Sequence, residues 1–338
     1  MHHASSAVDT PVPPAGAGVV ACERFGDIDE QAEALVGWNQ RYQQISRGAF
    51  QGAIHRVQLD GVSLFMEDLQ RAVHQTGWVR PEVVALGVPL VLRGDARFCG
   101  QRDDEAALHV FSGADGFQFL SPERHVMLGI EVERSLFETH VMDESQAGPP
   151  LWGAQARLHR APPAALAELR RVLVRLFDTA SQSPQWLQRA SSRAQMRDEL
   201  LERLAASCAE SDADGPASTD SLPRRGSPST QAALLAERAR SYVEHHLDEP
   251  PTVADLCREL GVSRRTLQNS FHATWGMAPL AWLNTLRLNA VRRRLKTAAS
   301  VTEAATQFGF WHFGHFATEY RALFGELPSQ TLRRARGT

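Results

Sequence analysis

Between residues 50 and 137 the apolar positions come in short runs broken by turn formers, as in "GAIHRVQLDGVSLFMEDL", "VVALGVPLVLRGDARFCG", "ALHVFSGADGFQFLSPE" and "HVMLGIEVERSLF". Short strands at this spacing predict an antiparallel sandwich or barrel. From about residue 163 to 206 the period lengthens. Leu166, Leu169, Leu173 and Leu176 recur at three and four, and Met196, Leu200, Leu201 and Leu204 form a second stripe, so two amphipathic helices are expected. They either close the barrel or pair with a second copy of the chain. Then "AESDADGPASTDSLPRRGSPST", residues 209–230, has almost no large apolar side chain and reads as a flexible linker. Beyond it every pattern is helical. The expected class is α+β: a β-domain with helices over residues 23–208, a linker, and an all-α domain over residues 231–338.

The helical part repeats itself. "VADLCRELGVSRRTLQNSFHATWGMAP" can be set against "VTEAATQFGFWHFGHFATEYRALFGELP". Val253, Leu256, Cys257, Leu260, Gly261 and Val262 match Val301, Ala304, Ala305, Phe308, Gly309 and Phe310 at an offset of 48. After a one-residue insertion the offset is 49, and Leu267, Phe271, Trp275, Gly276 and Pro279 match Phe316, Tyr320, Phe324, Gly325 and Pro328. Each copy has the logic of a helix-turn-helix unit: a short amphipathic helix, a glycine able to take positive φ, a buried residue, and a second helix. The aromatic residues Phe310, Phe316, Tyr320 and Phe324 thereby become core positions. His312 and His315 lack metal-ligand spacing and a third ligand nearby, so no metal site is expected there.

What remains exposed carries the chemistry. Ser263, Arg264, Arg265, Gln268 and Asn269 lie on the face of the first second-position helix that the core does not use, with Ser263 also its N-cap. Arginine reads guanine edges, and glutamine and asparagine read adenine, so this is a candidate DNA-reading face; a merely solvated polar face is the plain alternative. The matching face of the second copy has His312, Phe313, Gly314, His315 and Thr318, with Arg321 beyond. It is poor in long polar readers and suits thymine methyls and phosphates. Between the copies, "PLAWLNTLRLNAVRRRLKTA" predicts a helix with Leu283, Leu286, Ala290 and Leu295 on one stripe. About 18 residues at ~1.5 Å rise span ~27 Å, enough to hold two reading heads over successive major grooves. Arg292, Arg293, Arg294 and Lys296 near its end suit phosphates or a solvated C-terminus.

Net charge is −3, which hides an asymmetry. From Thr230 onward there are 14 Arg and Lys against 9 Asp and Glu, while the remainder holds 22 against 30. A basic module attached to an acidic body points to nucleic acid. Cys22, Cys99, Cys208 and Cys257 form no C-x-x-C pair and no disulfide framework, so reduced thiols and a cytoplasmic location are expected. No apolar run is long enough for a membrane span, and residues 1–22 read as a disordered tail.

Residues 252–334 resemble the AraC/XylS-type DNA-binding domain. Cys257, Gly261 and Ser263 stand at its first signature, and Gly309, Phe310, Phe316, Tyr320, Gly325 and Pro328 at its second, with Cys257 in place of the usual alanine and Tyr320 in place of the usual phenylalanine. "WNQRYQQISRGAFQGAIHRVQLDGVSLFMEDLQRAVHQTG" and "GFWHFGHFATEYRALFGELPS" are similar to regulators of ethanolamine-utilisation operons. The resemblance implies two helix-turn-helix units, an N-terminal cupin-like β-barrel with dimerisation helices, and a homodimeric transcriptional activator. Its implied partners are promoter DNA, RNA polymerase and a small-molecule effector, with ethanolamine and a cobalamin as candidates. Two alternatives stay open: an effector-independent regulator whose N-terminal domain binds protein partners, and a cupin-type enzyme. The second lacks its motif, since His55, His74, His109, His125 and His140 are not paired as cupin ligands require. Phe65, Trp78 and Trp152 are either pocket walls or plain core.

Overall fold

The computed structural model describes residues 20–103, 105–111, 116–141, 155–209, 228–246 and 249–337. The N-terminal part opens with β1 (Val20–Phe25), α1 (Ile28–Ala34) and β2 (Arg41–Gln44). The hairpin β3 (Gly52–Leu59) and β4 (Val62–Leu69) follows, then β5 (Val73–Gly77), β6 (Val83–Arg93), β7 (Ala96–Phe98), β8 (Gln101–Asp103), β9 (Leu108–Phe111), β10 (Phe117–Leu120) and β11 (Arg124–Glu133). After α2 (Arg134–His140) and β12 (Arg157–His159) come α3 (Pro163–Gln182) and α4 (Ala190–Cys208). β1 starts three residues before the boundary drawn at Glu23 from the sequence.

The strands form two antiparallel sheets, ordered β1-β3-β4-β11-β6-β9-β12 and β2-β5-β10-β7-β8. Among the described residues no ladder joins one sheet to the other, so the domain is a sandwich with open edges where a closed cupin-like barrel was expected. The ladders stop on short edge strands: β8 and β12 have 3 residues each and β2 has 4. Closure needs a continuous ladder with consistent stagger around the whole ring, and among the described residues the edge strands β1, β12, β2 and β8 do not supply it.

One face of the seven-stranded sheet, with Leu64, Leu86, Val110, Leu128 and Ile130, is covered by Leu166, Leu169, Leu173, Leu176, Leu200, Leu201 and Leu204 of α3 and α4. The two helical stripes therefore pack on a sheet face. The other face meets the five-stranded sheet across a ring-rich interior of Trp38, Phe65, Phe98, Phe111, Phe117 and Phe119. Burial on both faces explains why β6 reads as an almost unbroken apolar run.

The C-terminal part is all helix: α5 (Pro228–His245), α6 (Val253–Leu260), α7 (Arg264–Trp275), α8 (Pro279–Leu295), α9 (Val301–Gln307), α10 (Phe313–Phe324) and α11 (Pro328–Ala335). α5 begins within the segment read as linker, of which residues 210–227 lie outside the described residues. α8 serves two cores. Trp282, Leu283 and Leu286 pack with Leu267, Phe271 and Trp275, while Leu288, Ala290, Val291 and Leu295 pack with Phe310, Phe316, Tyr320 and Phe324.

Candidate nucleic-acid interface

The pairs α6–α7 and α9–α10 make the same turn. Gly261 and Gly309 take φ of 65° and 75°, in the left-handed region that glycine enters without a Cβ penalty. The next amide then reaches back into the first helix: Val262 N donates to Cys257 O and Phe310 N to Ala305 O, both at 3.0 Å. The second turn is held from behind as well. Arg287 of α8 donates to the carbonyls of Phe308 at 2.8 Å and Gly309 at 2.7 Å, and its guanidinium lies 4.6 Å from the Phe310 ring centroid.

α7 is capped by Ser263, whose Oγ accepts from Thr266 N at 3.1 Å. Its inner face buries Leu267 and Phe271, the latter edge-on to both Trp275 and Trp282. That packing turns Arg264, Arg265, Gln268 and Asn269 outward, and all four are exposed. Within the described residues their side chains make no hydrogen bond or ion pair. Two guanidinium groups and two amides thus stand unspent along one and a half turns of a rigidly held helix.

α10 has a different surface. His312, Phe313, Gly314, His315, Thr318 and Arg321 are all exposed, over a core of Phe316, Tyr320 and Phe324. His312 sits at the N-cap without a capping side-chain bond, and Thr318 Oγ1 donates back to Gly314 O at 3.0 Å. The acid on this helix, Glu319, is engaged by Asn284 Nδ2 at 2.9 Å and lies 3.4 Å from His315 Nδ1. Sequence reasoning passed over Trp311, which is 70% exposed. Its signal was there: it is the residue inserted between the two repeat offsets and has no core counterpart in the first copy.

The basic end of α8 is not available to phosphates. Arg292 donates to Asp27 at 3.1 Å and Glu326 at 2.8 Å, its side chain only 4% exposed. Arg293 lies 3.9 Å from Asp29, Lys296 contacts Asp27 and Asp29 at 2.8 and 2.9 Å, and Arg294 pairs with Glu303. Burial works to raise the Asp27 pKa, but Arg292 and Lys296 outweigh it and hold the carboxyl below its ordinary value. Asp27 is also the N-cap of α1, accepting from Asp29 N and Glu30 N. Arg292, Arg293 and Lys296 therefore mount the helical domain on the N-terminal one, while Arg294 is spent within the helical domain.

That mount has two further points. Behind the second pair, Gln44 N donates to Asn289 Oδ1 at 2.9 Å, Asn289 Nδ2 returns a bond to Gln44 O at 3.0 Å, and Gly48 N reaches Leu323 O at 3.0 Å. Behind the first, His74 stacks at a tilt 6.4 Å from Trp275, beside Arg240 and Glu237. Burial, aided by Arg240, pushes the His74 pKa down to about 4, so the ring is neutral at physiological pH. In the sandwich, Phe65 is buried and its ring lies over Gly129, where an added Cβ would sit 2.0 Å from it. Trp78 is 46% exposed, and Trp152 lies outside the described residues.

Residues 256–334 match the family model described as "Helix-turn-helix domain". The chain is 40% identical over 103 residues to the probable thc operon regulatory protein of Rhodococcus erythropolis, covering 29% of this chain and 31% of that one. It is 37% identical over 102 residues to XylDLEGF operon transcriptional activator 3 of Pseudomonas putida, with the same coverages of 29% and 31%. The match thus spans about a third of the length of these relatives. Among solved structures, a probable AraC family transcriptional regulator from Rhodopseudomonas palustris is 34% identical over 30% of this chain and 97% of its own, with a TM-score of 0.29.

Proposed function

We propose that this chain is a sequence-specific DNA-binding transcriptional regulator of the AraC/XylS type, with α7 and α10 as the reading helices of two helix-turn-helix units. One observation carries the reading. Arg264, Arg265, Gln268 and Asn269 stand exposed, and unpaired among the described residues, on a helix whose other face is buried, within the segment that matches a helix-turn-helix domain. Ser263 caps that helix, and His312, Phe313, Gly314, His315, Thr318 and Arg321 complete the proposed surface. Guanidinium and amide groups in that setting have the geometry to bond purine edges in a major groove. Selection of duplexes from a random-sequence pool by the full chain tests this. A defined motif is expected, and recovery of unenriched sequence would contradict it.

The same reading makes the chain a homodimeric activator that binds promoter DNA and engages RNA polymerase, with the N-terminal sandwich holding a small-molecule effector. The resemblance to ethanolamine-operon regulators makes ethanolamine and a cobalamin the first ligands to try. A second version, in which the sandwich binds protein partners and no effector, is favoured by the ring-filled interior around Trp38, Phe65, Phe98, Phe111, Phe117 and Phe119. Thermal-shift measurements separate the two. A specific ligand raises the melting temperature by mass action, and a flat response across the panel supports the protein-partner version.

A further inference from the structure

We propose that the second helix pair contributes to sequence choice through thymine methyl groups, read by Phe313 and Trp311, where the first pair reads polar base edges. The proposal rests on the DNA-binding reading above and deepens it. Three observations lead to it. The repeat offset places Phe313 where the first copy has Arg264, at the start of the proposed reading helix, so an aromatic ring occupies a groove-facing register. The ring is 43% exposed and Trp311, two residues before it, 70% exposed, so both are open to a partner at the entry to the helix. Gly314, next along, has nothing within 4 Å of where a Cβ would sit, so the surface beside the rings is open to close approach.

The chemistry of the surroundings chooses the occupant. Thr318 spends its hydroxyl on Gly314 O, and Glu319 is engaged by Asn284, so the face offers few unspent polar readers. His312, His315 and Arg321 are exposed around the rings and suit the backbone of a nucleic acid. The major groove displays one apolar group, the C5-methyl of thymine, and aromatic or aliphatic side chains are its natural contact. At least one contacted thymine in the second half-site follows.

The test uses the full chain and a duplex selected by it. Each dT is replaced singly by dU, which deletes only the methyl. In the half-site that Arg265→Ala leaves unaffected, at least one replacement is expected to lower affinity about fourfold, the equivalent of one buried methyl-sized group. Phe313→Ala is expected to weaken binding and to erase that dU sensitivity, while Phe313→Leu retains part of it; coupling of this kind is the signature of direct contact. Because Phe313 is exposed, an unchanged melting temperature for both variants checks that the fold survives. Indifference to every dU replacement, or undiminished dU sensitivity in Phe313→Ala, would overturn the proposal and assign the rings to a protein partner. Failure to select or bind any duplex would instead remove the DNA-binding reading itself, and this proposal with it.

Discussion

In the first helix pair Leu267, Phe271 and Trp275 lie beneath Arg264, Arg265, Gln268 and Asn269; in the second, Phe316, Tyr320 and Phe324 lie beneath Phe313, Gly314, Ala317 and Thr318. The inner positions trade one large side chain for another at each step. The outer ones lose every long polar group. Close packing explains the asymmetry, because an interior at crystal-like density tolerates only near-equal volumes, whereas an exposed side chain answers only to what it touches. The two pairs also differ behind. The second is held to the N-terminal domain by ion pairs and backbone bonds through Asp27, Gln44 and Gly48, the first by an aromatic and polar contact at His74. The repeated scaffold thus keeps its core and differs in the chemistry of its two outward faces.

The equivalence of the two cores is the easiest point to break. Phe271→Ala and Tyr320→Ala each remove a ring with no exposed surface and should each cost about 3–5 kcal/mol in urea unfolding. Costs differing by more than about 2 kcal/mol would show that the repeat is not an energetic one. Removing only the Tyr320 hydroxyl, bonded to Thr331 Oγ1 at 2.8 Å, should cost about 1 kcal/mol.

The difference in mounting is tested by Asp27→Asn. It leaves Arg292 with Glu326 alone and should destabilise the docked protein by on the order of 3 kcal/mol, seen as a lower unfolding midpoint or a split transition. An unchanged single transition would mean that the two domains do not rest on this contact in solution. The difference in reading is tested by Arg265→Ala, which should cost 1–3 kcal/mol (roughly) of specific binding and relax preference at one base pair. An unaltered footprint would remove Arg265 from the interface.

A last effect concerns pH. Burial lowers the pKa of His74 to about 4 and of His125 to about 3, from an ordinary value of 6.5. Below about pH 6.5 the unfolded chain takes up protons that the native state refuses, so stability falls as pH drops towards 4, by at most ~1.4 kcal/mol per pH unit for each ring. Asp27, whose pKa is lowered, adds to the loss only at more acid pH. His74→Gln should flatten the pH dependence by one proton's share; an equally steep curve would place its origin elsewhere.

The helical half was largely legible in the sequence because its determinants are local. Gly261, Gly276, Gly309 and Gly325 all take positive φ, Ser263 caps α7, and Leu283, Leu286, Ala290 and Leu295 are buried along α8 as their spacing implied. The errors lie where distant segments meet. Alternation in β3, β4 and β11 identifies strands and faces but says nothing about whether the ends of two ladders join, so an open sandwich and a closed barrel look alike. Arg292 and Asp27 are 265 residues apart, and nothing near either one signals that the basic end of α8 is spent on an acidic helix cap. Of the proposed contact residues, all eleven were exposed as their repeat positions required, while Trp311 escaped notice because it belongs to neither copy's core pattern.

The most direct test of the central claim, that the outer face of α7 binds duplex DNA with sequence preference, is the salt dependence of full-chain affinity for a selected duplex and a scrambled one. The account predicts a log–log slope of about −0.9 for each phosphate neutralised, with the selected duplex held more tightly at every salt concentration and the margin shrinking in Arg265→Ala. A slope near zero, or equal affinity of the unmodified chain for both duplexes, would contradict it.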